Sequence, residues 1–326
     1  MKFALRVAVV GLNIIFSTAV KGDDFVSTNP LSRIAFGSCL NQNQPQLIWE
    51  AIIAVRPQIF LFLSDNNSAN LADKTAAYAR LAAQPGTRQL LNTCPVWATW
   101  NDLDSDTDFP PRQHPGVYDA RLFGPPGKQV QIIWLDTRTF RGPLKRRAER
   151  FPGEGPWEAN PDKSVTLLGA EQWTWLRRML RFPAQFRIIV SIIQVVAEDH
   201  HWEKWMNLPH ERKLLFDMIS DTEADGVLFI SGDRRQAELS MIREGVPYPL
   251  YDLTSGPLNM RSEEPVVEIN GHGISDVYRD NNFGLITLDW IAPDPAITLE
   301  IRDEKGATRI QHKIALSALQ AAGHGP

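Results

Sequence analysis

The 326-residue sequence has only two cysteines, no long apolar run beyond its N-terminus, no internal repeat and no low-complexity segment. Two cysteines are too few for the disulfide framework that holds many small secreted domains together. Cys39 ends a predicted strand and Cys94 precedes another, so we expect two free thiols at opposite sheet edges. No later run approaches the roughly 20 apolar residues that a membrane-spanning helix needs.

The sequence also lacks a large excess of either charge. Lys and Arg total 34 and Asp and Glu total 38, which gives a net charge of −4. This balance argues against a dedicated nucleic-acid-binding protein. Hydrophobic residues make up 43% and charged residues 22% of the chain, as in ordinary globular proteins. The length is sufficient for one large core, and we expect one domain.

The N-terminus has a different pattern from the rest of the chain. Lys2 and Arg6 precede the mostly apolar residues 7–16, and small residues follow as far as Gly22. A basic start, a short apolar run and a small-residue exit are typical of a secretory signal peptide. The alternative is the first core strand of a cytosolic protein. We expect a signal peptide at residues 1–22 and export to the periplasm or the exterior.

Several apolar runs end in residues that could bind ligands. Residues 59–63 are five consecutive apolar residues that lead into Asp65 and Asn66. A run of this kind is typical of a strand buried on both faces in an α/β sheet. Four other predicted strands end in the same way, and their polar ends include Cys39, Asn101, Asp102, Asp136 and Asp233. Ligands collect beyond the carboxyl ends of such strands, so we expect one shared site.

The remaining periodicity predicts helices alternating with strands, followed by a strand-rich region. This order predicts two sheets packed face to face with helices outside. Residues 138–161 have no periodicity and are predicted to form a long functional loop. Predicted helices span 45–55, 73–83, 169–181 and 209–222. Further predicted strands span 116–123, 129–136 and 186–193, and strands at 250–253, 283–290 and 296–301 are assigned to a second sheet.

The strand-end residues have the chemistry of a metal site. Carboxylate and amide oxygens suit hard or borderline divalent ions. A two-metal site needs a bridging carboxylate, for which Asp65 is the candidate, and separate ligands for each ion. The other candidate ligands are Cys39, Asn101, Asp102 and Asp233. Two ions about 3.5–4 Å apart would activate water and neutralise a phosphate ester during in-line attack.

Short motifs are spread across residues 31–305. They include Phe36-Gly37-Ser38-Cys39, Leu63-Ser64-Asp65-Asn66, Leu135-Asp136-Thr137-Arg138, Glu203-Lys204-Trp205 and Ser231-Gly232-Asp233-Arg234. Together these motifs resemble the alkaline phosphatase D (PhoD-like) metallophosphoesterase family. The resemblance implies an α/β fold, a calcineurin-like two-sheet β-sandwich flanked by helices in four layers (αββα). It also implies a phosphate-ester substrate and divalent or trivalent ions of the Fe, Ca, Mn or Zn class. Residues 23–30 would then be a linker and residues 306–326 a C-terminal tail.

Three positions depart from the family motifs. Leu103 and Arg235 stand where histidines are expected, and Ser68 lies where a tyrosine is expected nearby. Leucine binds no metal, and arginine carries a fixed positive charge. The departures predict a metal site that is weakened or binds no ion. Arg235 is then expected to pair with a carboxylate of that site, for which Asp233, Asp65 and Asp102 are the candidates. We therefore expect a weak or inactive phosphatase or phosphodiesterase. The alternative is a non-catalytic module that binds phosphate-bearing ligands in the same cleft.

Five basic residues are candidates for binding the phosphate group. They are Arg138, Arg234, Arg235, His200 and His201. Arg138 begins a basic loop, for which a solvated surface loop is the alternative. The two histidines follow two acidic residues, as in a segment of the PhoD-like family, and a surface turn is the alternative there.

Overall fold

The computed structural model describes residues 29–63, 80–98, 116–261 and 268–321. The predicted signal peptide lies outside these ranges. Most of the predicted helix 73–83 lies outside them too, although residues 80–83 are helical.

Fourteen strands and four α-helices lie within these ranges. The helices are α1 (Ile48–Ala54), α2 (Pro85–Thr93), α3 (Gly169–Leu180) and α4 (Pro209–Asp221). The strands of the N-terminal half are β1 (Arg33–Gly37), β2 (Ile59–Phe62), β3 (Val96–Ala98), β4 (Asp119–Phe123), β5 (Val130–Trp134), β6 (Lys145–Arg146) and β7 (Trp157–Glu158). Those of the C-terminal half are β8 (Phe186–Val190), β9 (Val227–Ser231), β10 (Glu238–Ile242), β11 (Leu250–Thr254), β12 (Asn282–Asp289), β13 (Ala296–Asp303) and β14 (Thr308–Ala315).

Two six-stranded sheets form the body of the protein. The first has the order β14-β13-β12-β1-β2-β3, and the second has the order β10-β11-β9-β8-β5-β4. In the first sheet β1, β2 and β3 run parallel, and in the second β5, β8, β9 and β11 run parallel. Parallel neighbours place their carboxyl ends at one edge of the sheet, which is where the predicted site residues follow.

The two sheets pack against each other, and helices cover their outer faces. One buried cluster joins Ile34 and Leu61 of the first sheet to Ile188 and Leu228 of the second, and extends to α3 and α4. A second cluster joins Phe60 and its neighbours to α1 and α2. Burying each large aliphatic or aromatic side chain contributes about 1.5–3 kcal/mol. The predicted four-layer αββα architecture is confirmed.

The predicted helices at 169–181 and 209–222 are confirmed, and the helix expected from residue 45 begins at Ile48. The helix α2 was not predicted. Pro85 opens it, because proline at the first helical position has no hydrogen bond to lose. A Cβ on Gly86 would overlap the Trp49 side chain, so this glycine allows α2 to approach α1 closely.

Two predictions about the C-terminal region are wrong. The strands expected to form a second sheet divide between both sheets, because β11 pairs with β9 whereas β12 pairs with β1. Residues 306–326 are not simply a tail, since β14 pairs with β13 along its length. Its buried Ile310 and Ile314 alternate with exposed residues, as one face against a core requires. No helix in the described ranges is long and apolar enough to cross a membrane.

Candidate functional site

The carboxyl ends of strands from both sheets meet at one place. A Cβ added to Gly232, directly after β9, would lie 2.7 Å from Ser38 Cβ and 3.3 Å from Leu63 Cβ. These residues directly follow β1 and β2. A Cβ on Gly256, after β11, would lie 2.5 Å from Ser38 Oγ. The close approach requires glycine at both positions and brings the two sheets together at the predicted site.

The backbone is strained at this junction. Cys39, Asp233 and Arg235 have φ values of 58°, 62° and 49°. Residues with side chains seldom adopt this left-handed region. Such conformations cost about 1–3 kcal/mol each and cluster at functional sites. Three of them within two strand ends mark this junction as the candidate functional site.

Part of the predicted site lies outside the described residues. Asp65, Asn101 and Asp102 fall there, and so do Ser68 and Leu103. Asp65 follows Leu63 by two positions, and Leu63 lies against Gly232. The predicted metal ligands that the structure describes are Cys39 and Asp233.

Cys39 is buried at the end of β1 and forms no disulfide. Its Sγ lies 3.5 Å from Ser38 Oγ, which donates to the carbonyl of Ser255 at 2.8 Å. Cys94 is also buried and forms no disulfide, and burial raises the pKa of its thiol to about 12. The prediction that the two cysteines do not pair with each other is therefore confirmed.

Asp233 forms an ion pair with Arg138. Arg138 Nη2 lies 3.0 Å from Asp233 Oδ2, and Nη1 donates to Glu203 Oε1. Arg141 binds the same Glu203 oxygen. The side chains of Arg138 and Glu203 are 11% and 16% exposed, so their charges are only weakly screened by water. The result is an Arg141–Glu203–Arg138–Asp233 chain of alternating charge.

The expected pairing of Arg235 with Asp233 is wrong, because Arg138 makes that contact. Arg235 is exposed, and no ion pair links it to a carboxylate among the described residues. Both Asp233 and Arg235 have left-handed backbone conformations. The guanidinium that binds Asp233 is that of Arg138. Arg138 follows β5 and begins the loop that was predicted to be functional.

Asp136 positions the loop that carries Arg138. Its Oδ1 accepts hydrogen bonds from the backbone N–H groups of Arg138 and Thr139 at 3.0 and 2.9 Å, and its Oδ2 accepts from Val117 N at 2.8 Å. The side chain of Gln172 in α3 accepts a hydrogen bond from the Asp136 backbone N–H at 2.8 Å and donates one to the Asp136 carbonyl at 2.9 Å. A carboxylate that holds three backbone donors acts as a turn cap, so this strand-end Asp supports the site indirectly.

Arg234 makes a second, separate ion pair. Its Nη2 donates to Glu268 Oε2, and the side chains are 5% and 10% exposed. Gln236 Nε2 also donates to Glu268 Oε2 at 3.4 Å. The Arg234 guanidinium carbon lies 5.7 Å from the centre of the Trp202 ring, within cation–π distance.

His200 has no ring nitrogen left for a phosphate group. Its Nδ1 accepts from Trp202 N at 3.2 Å, and its Nε2 lies 2.8 Å from Gln194 Oε1. Burial, followed by the charge of Arg234, lowers the pKa of His200 far below its ordinary value. The ring is therefore neutral and donates through Nε2. His201 is partly exposed, and its backbone carbonyl accepts from Trp157 N.

The basic loop after Arg141 is largely neutralised by its own contacts. Lys145 pairs with Glu158 across the β6–β7 hairpin at 2.8 Å, and Arg147 pairs with Glu154 at 2.6 Å. Arg146 lies over the Trp157 ring. These contacts favour the solvated-loop interpretation beyond Arg141, whereas Arg138 and Arg141 belong to the site.

The described residues do not by themselves fit a dinuclear metal centre. No group of three His, Cys, Asp or Glu side chains converges within the parts of the chain that the structure describes. Asp233, the described carboxylate of the predicted set, is ion-paired with Arg138. An ion at Asp233 would have to displace or tolerate a guanidinium.

Sequence reasoning missed two carboxylates of the site. Glu203 joins two arginines, and Glu268 binds Arg234. Glu203 lies in one of the motifs that resemble the PhoD-like family, so that motif could have identified it as a candidate site residue. Glu268 follows no periodic element and is brought to the site only by the path of the chain after β11.

Comparisons with known proteins identify a family and a fold. The family model described as "PhoD-like phosphatase" matches residues 123–311, which is more than half of the chain. No functionally curated protein matches the sequence.

Three solved structures illustrate the fold. One is described as "Structure of PhoD", with 14% identity, a TM-score of 0.63 and coverage of 92% of this chain and 74% of that chain. Another is GAP50, named the anchor in the inner membrane complex of Plasmodium, with 15% identity, a TM-score of 0.57 and coverage of 88% and 89%. A dimetal phosphatase from Danio rerio has 14% identity, a TM-score of 0.48 and coverage of 88% and 100%.

Proposed function

Because this chain belongs to the PhoD-like phosphatase family, we propose that its strand-end cleft binds phosphate esters and that metal-dependent hydrolysis there is weakened or lost. The observation that carries the proposal is the ion pair between Arg138 and Asp233. A carboxylate that would serve a cation in a metallophosphoesterase is instead neutralised by a guanidinium of the same chain.

The energetics favour the arginine over an ion at Asp233. Arg138 is held by the Asp136 turn through its backbone and by Glu203 through its side chain. Its guanidinium therefore loses little conformational freedom when it binds Asp233. A metal ion that replaced it would leave a mostly buried arginine charge beside a cation, which is unfavourable at short range.

A non-catalytic role is the second candidate. The same guanidinium chemistry binds phosphate without any ion, and GAP50, a protein of similar fold, is named as an anchor rather than as an enzyme. At 15% identity this likeness shows the fold alone.

Arg138→Gln tests the proposal because it frees the Asp233 carboxylate. We expect wild-type protein to purify with less than one divalent ion per chain and to hydrolyse mono- and diesters slowly or not at all. Arg138→Gln should bind more metal, because a carboxylate ligand is released. Elemental analysis and hydrolysis assays measure both quantities.

Arg147→Gln is the matched control, since Arg147 pairs with Glu154 in the solvated part of the loop and no described contact joins it to Asp233. Its metal content should equal that of the wild type. Full dinuclear occupancy with rapid hydrolysis in the unmodified protein would contradict the weakened site. The double change Leu103→His with Arg235→His should also raise metal affinity.

Export is part of the proposal and is supported by the pattern of residues 2–22. A cleaved signal peptide would leave the mature N-terminus between about residues 20 and 24. Mass spectrometry of the protein from its native host measures this directly. Mature protein that retains Met1 would exclude cleavage.

A further inference from the structure

Arg234 has a donor that the folded chain does not use. Its side chain is 5% exposed, and its buried Nε–H has no hydrogen-bond acceptor among the described residues. Buried polar groups are paired in the large majority of cases, so an unpaired donor calls for an explanation. Here the donor lies directly beside the strand end that carries Asp233.

The half-used guanidinium has the geometry of an oxyanion site. An arginine presents Nε–H and an Nη–H side by side, in a fork that matches two oxygens of a phosphate or carboxylate. Glu268 engages Arg234 through one oxygen, Oε2, on Nη2. Trp202 covers the guanidinium face, which leaves the donor edge as the direction of approach.

A second basic residue lies near Arg234. Burial, and then the charge of Arg234, lowers the pKa of Lys204 to about 8, whereas the carboxylates of Asp199, Glu268 and Glu198 act to raise it. Arg234 and Lys204 are therefore within electrostatic range of each other in a region of low exposure. The buried Nε of Arg138 also has no hydrogen-bond acceptor among the described residues, but both of its Nη groups already bind carboxylates, those of Glu203 and Asp233. Of these two arginines, Arg234 is the better candidate for a ligand.

We propose that Arg234 is an oxyanion-binding residue of the cleft and that Glu268 is its internal competitor. A bound oxyanion takes the Nε and Nη2 donors, and the Glu268 carboxylate leaves Nη2. That the oxyanion is a phosphate ester rests on the proposed function. Glu268 then sets the affinity of the site, because every ligand must displace a carboxylate that is tethered beside the donor.

Binding of inorganic phosphate in the presence of EDTA tests this inference by isothermal titration calorimetry. Glu268→Gln keeps the size of the side chain and removes its charge, so the competing bond weakens. We expect phosphate affinity to rise by about tenfold or more. Glu244→Gln makes the same change in an exposed turn after β10 and should leave the affinity unchanged.

Arg234→Lys completes the test because it keeps the charge and removes the two-donor fork. It should reduce phosphate affinity by about tenfold in both the wild-type and the Glu268→Gln backgrounds. Acetate at equal ionic strength distinguishes a general oxyanion site from one that prefers phosphate. Near-UV circular dichroism of each variant checks that it is folded. Glu268→Asp is the second variant at this position if Glu268→Gln does not fold.

Two results would overturn the inference: equal phosphate affinity in the Glu268→Gln and Glu244→Gln variants, or full affinity in Arg234→Lys. Neither result depends on hydrolysis. Absent phosphate binding together with metal-dependent turnover would refute the Arg234 site and leave a phosphoesterase in place. Phosphate binding without turnover would support the site and favour the non-catalytic alternative.

Discussion

At the residue scale, His200 shows how surroundings override residue type. The pair His200-His201 after two acidic residues has the composition of a ligand site, yet His200 is buried and hydrogen-bonded at both ring nitrogens. Its partner Gln194 donates to Glu238 and Thr254 at 2.6 and 2.9 Å. These hydrogen bonds hold His200 in its neutral form, in which its Nδ1 accepts from the backbone of Trp202.

This fixed state predicts a pH dependence of stability. The pKa of His200 is depressed in the folded protein, so below pH 6.5 the unfolded chain binds a proton that the folded chain does not. The free energy of unfolding should then fall as pH falls, by up to about 1.4 kcal/mol per pH unit from this group. Urea unfolding from about pH 7.5 to about pH 5 measures it.

His200→Gln removes the titrating group and keeps a side chain that forms hydrogen bonds. Between about pH 7.5 and pH 5 its free energy of unfolding should fall less steeply than that of the wild type, by up to about 1.4 kcal/mol per pH unit. Parallel curves for the two proteins would show that His200 is protonated in the fold, which would contradict the neutral assignment.

The sequence identified the site arginines but not their partners. Arg138, Arg234 and Arg235 were all predicted at strand ends, and Asp233 was predicted beside them. Asp233 binds Arg138, which is 95 positions away in sequence, and the residue pattern predicts neither this contact nor the left-handed backbone at Asp233 and Arg235. The carboxylates Glu203 and Glu268 arrive from distant segments, which local pattern reading does not connect.

At the scale of elements, the site is a junction between strand ends of two sheets. The apolar runs predicted β1, β2, β5 and β9 because continuous hydrophobicity follows directly from burial on both faces. The contact between sheets depends on glycine at positions 232 and 256, where a Cβ would strike Ser38. Such contacts join residues about 200 positions apart, so they become visible only in the folded chain.

Gly232→Ala tests that junction. The new Cβ would lie 2.7 Å from Ser38 Cβ and 2.8 Å from Ser38 Oγ, so β9 and β1 must separate. We expect a loss of about 1–3 kcal/mol in the free energy of unfolding. Denaturant unfolding provides the measurement.

Ser38→Gly on the Gly232→Ala background provides the matched rescue, because it removes both clashing atoms. The double variant should be more stable than the sum of the two single effects, since residues in contact do not behave additively. Strictly additive effects would mean that the two strand ends are not in contact.

At the scale of the whole molecule, the chain returns to complete sheets that it began more than 200 residues earlier. The layered class was predictable from the order of helices and strands. Which strands pair with each other was not predictable, because β12 and β11 have similar apolar patterns but join different sheets. The last strand was taken for a tail because its short alternation of buried and exposed residues is a weak signal.

Chains that end after Gly306 or after Ala321 distinguish an appendage from a structural strand. The shorter chain loses β14 and the following turn, including four buried side chains of the main core, Ile310, Ile314, Leu316 and Leu319. At about 1.5–3 kcal/mol each, their loss approaches the total stability of about 5–15 kcal/mol of a typical domain. It also exposes the edge of β13, which promotes aggregation. We expect the chain ending after Gly306 to lose its cooperative thermal transition and the longer chain to keep it. A shorter chain that melts cooperatively within about 3 °C of the wild type would show that β14 contributes little to the fold.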